Sequence, residues 1–199
     1  MSDSVFPLVL FALASTLSPG GANMLATASG AQFGFRRSVP LLTGIALGLA
    51  CLAAASAAGL GSLLLAAPSL QLAMKLTGSA YLLWLAWKIG RSGPPALKSD
   101  LAQPTRFWGG AGLLMLNPKG WAMALGAAAS FALLARGPLQ LALLLGGIFG
   151  LAAILSLSLW CVAGLVLARW LTRTWHWRLV NGILGLLLAV SIVPMWLEA

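Results

Sequence analysis

The sequence predicts an all-α membrane protein: six transmembrane helices arranged as two inverted three-helix repeats, with segments one and four broken at Pro and Gly. Three observations predict it. Hydrophobic residues make up 60% of the chain and charged residues 8%, whereas a soluble domain carries about 25% charged residues. The apolar residues fall into runs long enough to cross a bilayer, for which about 20 are needed. The same defect, a polar residue followed by Pro and then Gly, interrupts two of those runs at equivalent places.

The segments fall at about 5–31, 39–66, 70–90, 107–133, 138–168 and 178–197. The first contains LSPGGANML, Leu17 to Leu25, inside an otherwise apolar run. Proline removes a backbone donor and clashes with the preceding turn, and each glycine costs about 1 kcal/mol relative to alanine in a helix interior. Arg36 and Arg37 separate segments one and two, and Ala67 to Gln71 form a tight turn before segment three. Residues 91–106 are the longest polar stretch and read as a linker between a first repeat, 1–90, and a second, 107–199. Segment four contains LNPKGWAMAL, Leu116 to Leu125. Ser18-Pro19-Gly20-Gly21 aligns with Asn117-Pro118-Lys119-Gly120, and the same offset pairs Arg37 with Arg136 and Gly48 with Gly147. Ala135 to Pro138 and Arg169 to Arg178 separate the last three segments. Three spans on each side of the linker put the second copy upside down relative to the first.

Charge orients the chain. Arg36, Arg37, Lys88, Arg91, Lys98, Arg106, Arg169, Arg173 and Arg178 fall on one set of loops, and Arg136 alone on the other. The positive-inside rule makes the first set cytoplasmic and both termini periplasmic. The net charge of +9 is therefore a topology signal, and nucleic acid is not expected as a partner, because the basic residues lie in short loops rather than in a tail or on one face. Trp84, Trp87, Trp108, Trp170, Trp175, Trp177 and Trp196 lie near segment ends and read as interfacial anchors. A cleaved signal peptide is not expected, since no basic stretch precedes the first apolar run. Cys51 and Cys161 are isolated and read as small buried hydrophobes. His176 has no second ligand nearby, so neither a metal nor another cofactor is expected.

Paired Pro/Gly interruptions in two halves point to a transporter's binding site. A broken helix frees backbone donors and acceptors, tolerated at depth only where protein or a water-filled cavity satisfies them. A freed helix start attracts a carboxylate, and freed carbonyls suit an ammonium, so two breaks together fit a zwitterion. Pro19, Gly20, Gly21, Asn23, Asn117, Pro118 and Lys119 are the expected site residues, with Lys75 as a further candidate. A central lysine costs about 2.5–3.5 kcal/mol on insertion scales, so Lys119 needs a partner: backbone carbonyls, water or an anionic substrate group. Lys75 lies nearer an interface and can snorkel. The acidic residues, Asp3, Asp100 and Glu198, lie outside the apolar runs. A carboxylate proton relay and a strongly cationic substrate are therefore disfavoured, and a zwitterionic or weakly polar one fits better. Gly44 with Gly48, and Gly146 with Gly150, are spaced for close internal helix packing, a homodimer contact being the alternative.

Three stretches carry a family resemblance: SPGGANMLATASGAQFGFRRS (Ser18 to Ser38), MKLTGSAYLLWLAWKIGRS (Met74 to Ser92) and LLMLNPKGW (Leu113 to Trp121). They resemble the LysE/RhtB superfamily of bacterial amino-acid exporters, and the second stretch, with LSLWCVAGLVLARWL (Leu157 to Leu171), is most similar to its cysteine/O-acetylserine exporter branch. The family pattern has a second proline where this chain has Gly21 and an asparagine where it has Ala22; Gly21 still weakens the helix. The resemblance implies export of a small-molecule amino-acid substrate across the bacterial inner membrane, energised by ion gradients. An intramembrane enzyme would need a nucleophile with a base, or a metal cluster, at depth. An assembly subunit without transport would leave the paired breaks unexplained.

Overall fold

The computed structural model describes residues 2–60, 68–91, 106–170, 173–190 and 192–193. Within them the chain forms seven α-helices and no strand: α1 Ser2–Leu17, α2 Gly21–Ala55, α3 Pro68–Gly90, α4 Phe107–Met115, α5 Pro118–Ser130, α6 Pro138–Trp170 and α7 Thr174–Val190. A π-turn, Ser56–Leu60, ends α2, and a short 3-10 turn, Ala132–Leu134, links α5 to α6.

Both breaks fall where the proline chemistry places them. α1 stops at Leu17 and α2 starts at Gly21, with Ser18 to Gly20 between. α4 stops at Met115 and α5 starts at Pro118, a position where the missing N–H costs nothing. Asn117 caps that start: its side chain accepts from the Lys119 N–H at 3.2 Å.

Several expected boundaries move. Arg36 and Arg37 do not form a loop between segments one and two. They lie inside α2, and the change of direction is made by one residue, Gly34, at φ 77° and ψ 170°. That backbone region is nearly glycine-only, so a single residue turns the chain without a loop. The turn is clasped: the hydroxyls of Ser29 and Ser38 are 2.7 Å apart across it, and Ser38 Oγ donates to the Gly34 carbonyl at 2.9 Å. Gly34→Ala meets no neighbour within 4 Å, so its cost is purely backbone strain. A loss of about 1–3 kcal/mol is expected, visible as a lower melting temperature in detergent. Pro68 to Gln71, expected as a turn, open α3, and Thr174 to Arg178, expected as a loop, open α7; Pro68 fits the first helical position for the same reason as Pro118. Most of the 91–106 linker, and Trp196, lie outside the described residues.

The core forms on α2 and α6, which share the most extensive contact; α4 packs on α2, α1 on α6, and α3 pairs with α7. Small residues let these backbones touch. A Cβ at Gly30 would run into the Cys161 carbonyl, and one at Gly164 into the Thr27 carbonyl. Gly44 faces the Phe107 carbonyl, Gly48 faces Leu114, and Gly146 and Gly150 face Ala50. Both predicted glycine pairs are thus used in packing inside the fold. Phe149, Leu145, Met24 and Leu41 fill the space between the helices and are fully buried.

The outer surface is apolar. On α6, Leu139, Leu143 and Leu151 are each at least 70% exposed, an arrangement that water penalises and a bilayer accepts. Among the described residues, two helical stretches, Gly21–Gly59 and Pro138–Trp170, are by themselves long and apolar enough to cross a membrane. The breaks shorten the helices of segments one and four: α1 has 16 residues and α4 has 9, about 24 and 14 Å of helix. Trp84, Trp87, Trp108, Trp170 and Trp175 are exposed, as anchors should be. Trp177 is not: it is 4% exposed and belongs to the protein interior, because its helix begins earlier than expected.

Candidate functional site

The two breaks meet. Lys119, the second residue of α5, reaches back to the gap between α1 and α2. Its Nζ donates to the Ser18 carbonyl at 2.7 Å, to Ser18 Oγ at 2.8 Å and to the Pro19 carbonyl at 3.3 Å. An ammonium has three donors and no acceptor, and each donor here has an oxygen. Of the partners open to Lys119 on sequence grounds, the structure shows backbone carbonyls, and they are those of the first break rather than of its own.

Every carbonyl from Thr16 to Pro19 is held by a side chain. Asn23 Nδ2 donates to Thr16 O at 2.7 Å and to Ser18 O at 2.9 Å. Ser156 Oγ donates to Thr16 O at 2.8 Å, and Trp160 Nε1 to Leu17 O at 3.2 Å. The helix end that Pro19 leaves unpaired is thus stitched to α2, α5 and α6, which meets the requirement that buried backbone groups find partners. The second break uses the same device on a smaller scale: Trp121 Nε1 reaches back to Met115 O at 2.9 Å, as Asn23 does in the first.

The two helix starts differ. At α5 the Lys119 N–H is taken by Asn117. At α2, Gly20 is extended and no side chain caps the first turn, so this start keeps donors for an anion. Gly20 also makes room for the lysine: a Cβ there would lie 3.0 Å from both Cδ and Nζ of Lys119.

A cleft opens beside these groups, with about 380 Å³ of empty space including that which opens to solvent. Its polar edge is Ser15, Thr16, Gly20, Asn23, Asn117, Lys119 and Ser156, and its apolar wall includes Ile45, Leu49, Leu114, Met123 and Leu157. No acidic residue lines it. Of the expected site residues, Gly20, Asn23, Asn117 and Lys119 border the cleft; Pro19 is not among its lining, and its carbonyl accepts from Lys119. Gly21 instead faces Leu82 and Leu188, on the side of α3 and beside α7. Pro118 begins α5, and the side chain of Lys75, in α3, lies outside the described residues. Sequence reasoning missed Ser18, Ser156, Trp160 and Trp121 as partners of the breaks. Ser156 and Trp160 are four apart, on one face of α6, but a serine and a tryptophan at helical spacing in an apolar run carry no signal of their own.

Asn23 is 4% exposed, and its amide is a donor to two carbonyls, so the sign of its substitutions is fixed. Asn23→Ala removes both donations; Thr16 O keeps Ser156 and Ser18 O keeps Lys119, so the expected loss is that of two hydrogen bonds, about 0.5–1.5 kcal/mol each. Asn23→Asp is expected to be worse than Asn23→Ala despite its closer shape, because it turns a donor into an anion facing two carbonyl oxygens. Melting temperatures of the two purified variants check the order.

An apolar chain, helical through its described residues, whose two helix interruptions are joined beside a cleft has the make-up of a membrane transport protein. The chain belongs to the LysE type translocator family, which it matches over residues 13–193; it is a transporter and not an enzyme. It is 32% identical over 192 residues to a cysteine/O-acetylserine efflux protein of Klebsiella pneumoniae, 31% over 186 residues to one of Salmonella typhimurium and 29% over 187 residues to one of Escherichia coli strain K12, with 94% of this chain and 94% of each relative covered. No solved structure matches the chain.

Proposed function

We propose that the protein exports neutral or small polar amino acids and their derivatives from the bacterial cytoplasm across the inner membrane, by alternating access about the cleft between the two breaks. The observation that carries this reading is the junction itself. Lys119 and the uncapped start of α2 offer positive charge and N–H donors to a carboxylate, the carbonyls of Ser18 and Pro19 suit an ammonium, and the wall beyond is apolar and free of acids. A zwitterion with an uncharged side chain matches all three. Pro19, Gly20, Asn23, Asn117 and Lys119 are the substrate-facing set, with Gly21 and Pro118 shaping the breaks.

The six-span, inverted-repeat layout belongs to this proposal, with 1–90 and 107–199 as its halves. Exchanging α1 with α4, the part of α2 beyond Gly34 with α6, and α3 with α7 maps the principal helix contacts onto one another, α4 lying at Gly44 and Gly48 and α1 at Ala152. Residues of α2 and α6 meet in opposite order, Gly30 at Cys161 and Ala50 at Gly146, as do those of α3 and α7, Ala86 at Gly185 and Gly90 at Asn181. Both features support two halves related by rotation about an axis in the membrane plane. In this layout the arginine-rich loops are cytoplasmic and both termini periplasmic. Cysteine labelling at Ser2 and Ala199 from the periplasmic side checks the orientation; labelling of both from the cytoplasm only would overturn it.

The names of the relatives make cysteine and O-acetylserine the first substrates to try. Radiolabelled efflux from proteoliposomes, run over a panel of neutral, acidic and basic amino acids, tests the proposal. Export of neutral members above protein-free liposomes is expected. A panel with no exported member, or one in which only basic amino acids move, would sink it.

A further inference from the structure

We infer that the oxygen cluster at the first break, the Ser18 carbonyl, Ser18 Oγ and the Pro19 carbonyl, is a binding site for a primary ammonium group, filled in this structure by Lys119 and taken over by the substrate's own α-ammonium during transport. The inference rests on the reading of the protein as an exporter of zwitterions and assigns each half of the zwitterion a place.

The chemistry of the cluster is specific. Three oxygens lie 2.7, 2.8 and 3.3 Å from one nitrogen, and a primary ammonium offers three N–H donors. An amino acid carries the same group. Lys119 holds it on a flexible four-carbon stem, so the ammonium can leave the cluster while α5 stays in place. Lys119 itself and Gly20, which directly follows Pro19 in the chain, both border the cleft, so a ligand there lies beside the cluster. Because Gly20 has no side chain, nothing at that position blocks the lysine stem on its way out.

The displaced lysine has a use. Beside it lies the start of α2, which no side chain caps. A substrate whose ammonium replaces Lys119 on the carbonyls brings its carboxylate into the same cleft, where the freed Lys119 ammonium and the α2 N–H groups receive it. The lysine's contacts with the cluster are exchanged for those of the substrate ammonium, and a lysine–carboxylate contact is added. No covalent bond changes and no proton moves. The zwitterion adds no net charge, so the cleft holds one positive charge before and after, and it needs no acidic residue to receive an ammonium. The exchange also changes what joins the two breaks: Lys119 ties α5 directly to Ser18 and Pro19, whereas in the exchanged arrangement the tie runs through the substrate.

A site of this kind demands N–H donors and refuses a methylated nitrogen. Two measurements on the full chain in detergent or liposomes test it. In the first, Lys119→Ala protein is melted with ethylammonium chloride or with tetramethylammonium chloride at equal ionic strength. Ethylammonium is expected to raise its melting temperature by several degrees, leaving wild type unmoved, and tetramethylammonium to move neither. Equal responses to the two salts would overturn the site. The second uses wild type alone and stands even where Lys119→Ala does not accumulate. An exported amino acid is compared with its N-trimethyl analogue, and the free-ammonium form is expected to be exported at least about tenfold faster, equivalent to about 1.4 kcal/mol; comparable rates would overturn the site. Export of no amino acid at all, with ethylammonium still rescuing Lys119→Ala, would remove the exporter reading and leave the ammonium site standing.

Discussion

Lys119→Met is expected to abolish efflux and to lower the melting temperature at the same time. Methionine nearly matches the lysine stem in length and apolar character, so packing around Gly20 changes little, and what is lost is the ammonium. With it go three hydrogen bonds to Ser18 and Pro19. The Ser18 carbonyl keeps Asn23 as a donor, and the Pro19 carbonyl loses the side-chain partner that the structure gives it. Hydrogen bonds to charged groups contribute about 1.5–3 kcal/mol each, so a drop in melting temperature follows from the geometry alone. The loss of transport follows from the proposed function, since the same ammonium is the charge offered to the carboxylate. Lys119→Arg separates the two roles. Its guanidinium keeps the charge but is wider and planar, and Gly20 leaves a gap sized for a lysine stem. It should recover part of the melting temperature and little of the efflux. Lys119→Met with wild-type melting and wild-type efflux would remove Lys119 from both roles.

The breaks were legible in the sequence because proline and glycine state their effect locally. Pro19 and Pro118 interrupt α1–α2 and α4–α5 where the sequence places them, and the Asn117-Pro118 pair reads directly as a cap followed by a first helical residue. The need for Lys119 to have a partner was also legible, because a lysine at depth carries a cost that something must offset. Its identity was not. Ser18 and Pro19 are about a hundred residues away, and nothing in LNPKGW says which carbonyls the ammonium will find. Ser156 and Trp160 stayed hidden for the related reason that their partners are backbone groups, which every residue has. The one-residue turn at Gly34 was masked by Arg36 and Arg37. A pair of arginines reads as a loop, yet here it follows the turn inside the same helix. The glycine pairs at Gly44 and Gly146 announced themselves by spacing. Gly30, Gly110, Gly164 and Gly185 did not, because each approaches a backbone on another helix alone.

Gly164→Ala is expected to leave very little folded protein. An added Cβ at Gly164 would lie on top of the Thr27 carbonyl group, and at Gly30 one would lie on top of that of Cys161, 2.9 Å from its sulfur. These are backbone atoms of two long helices in their main contact, so no rotamer change relieves the overlap. α2 and α6 must separate. Overpacking in a core costs about 1–3 kcal/mol and occasionally more, and here separation also moves Ser156 and Trp160, on α6, away from Thr16 and Leu17, which pulls donors off the first break. Gly147→Ala is the matched control: it lies on the same helix with nothing within 4 Å and should accumulate and melt like wild type. Monodisperse yield by size-exclusion chromatography and melting temperature read both, and equal behaviour of the two variants would contradict the backbone contact. Gly30→Ala should resemble Gly164→Ala. The Gly30→Ala/Gly164→Ala double variant should be scarcely worse than the more severe single, because residues sharing one contact are not additive. Once one methyl has pushed the helices apart, the second enters space already opened.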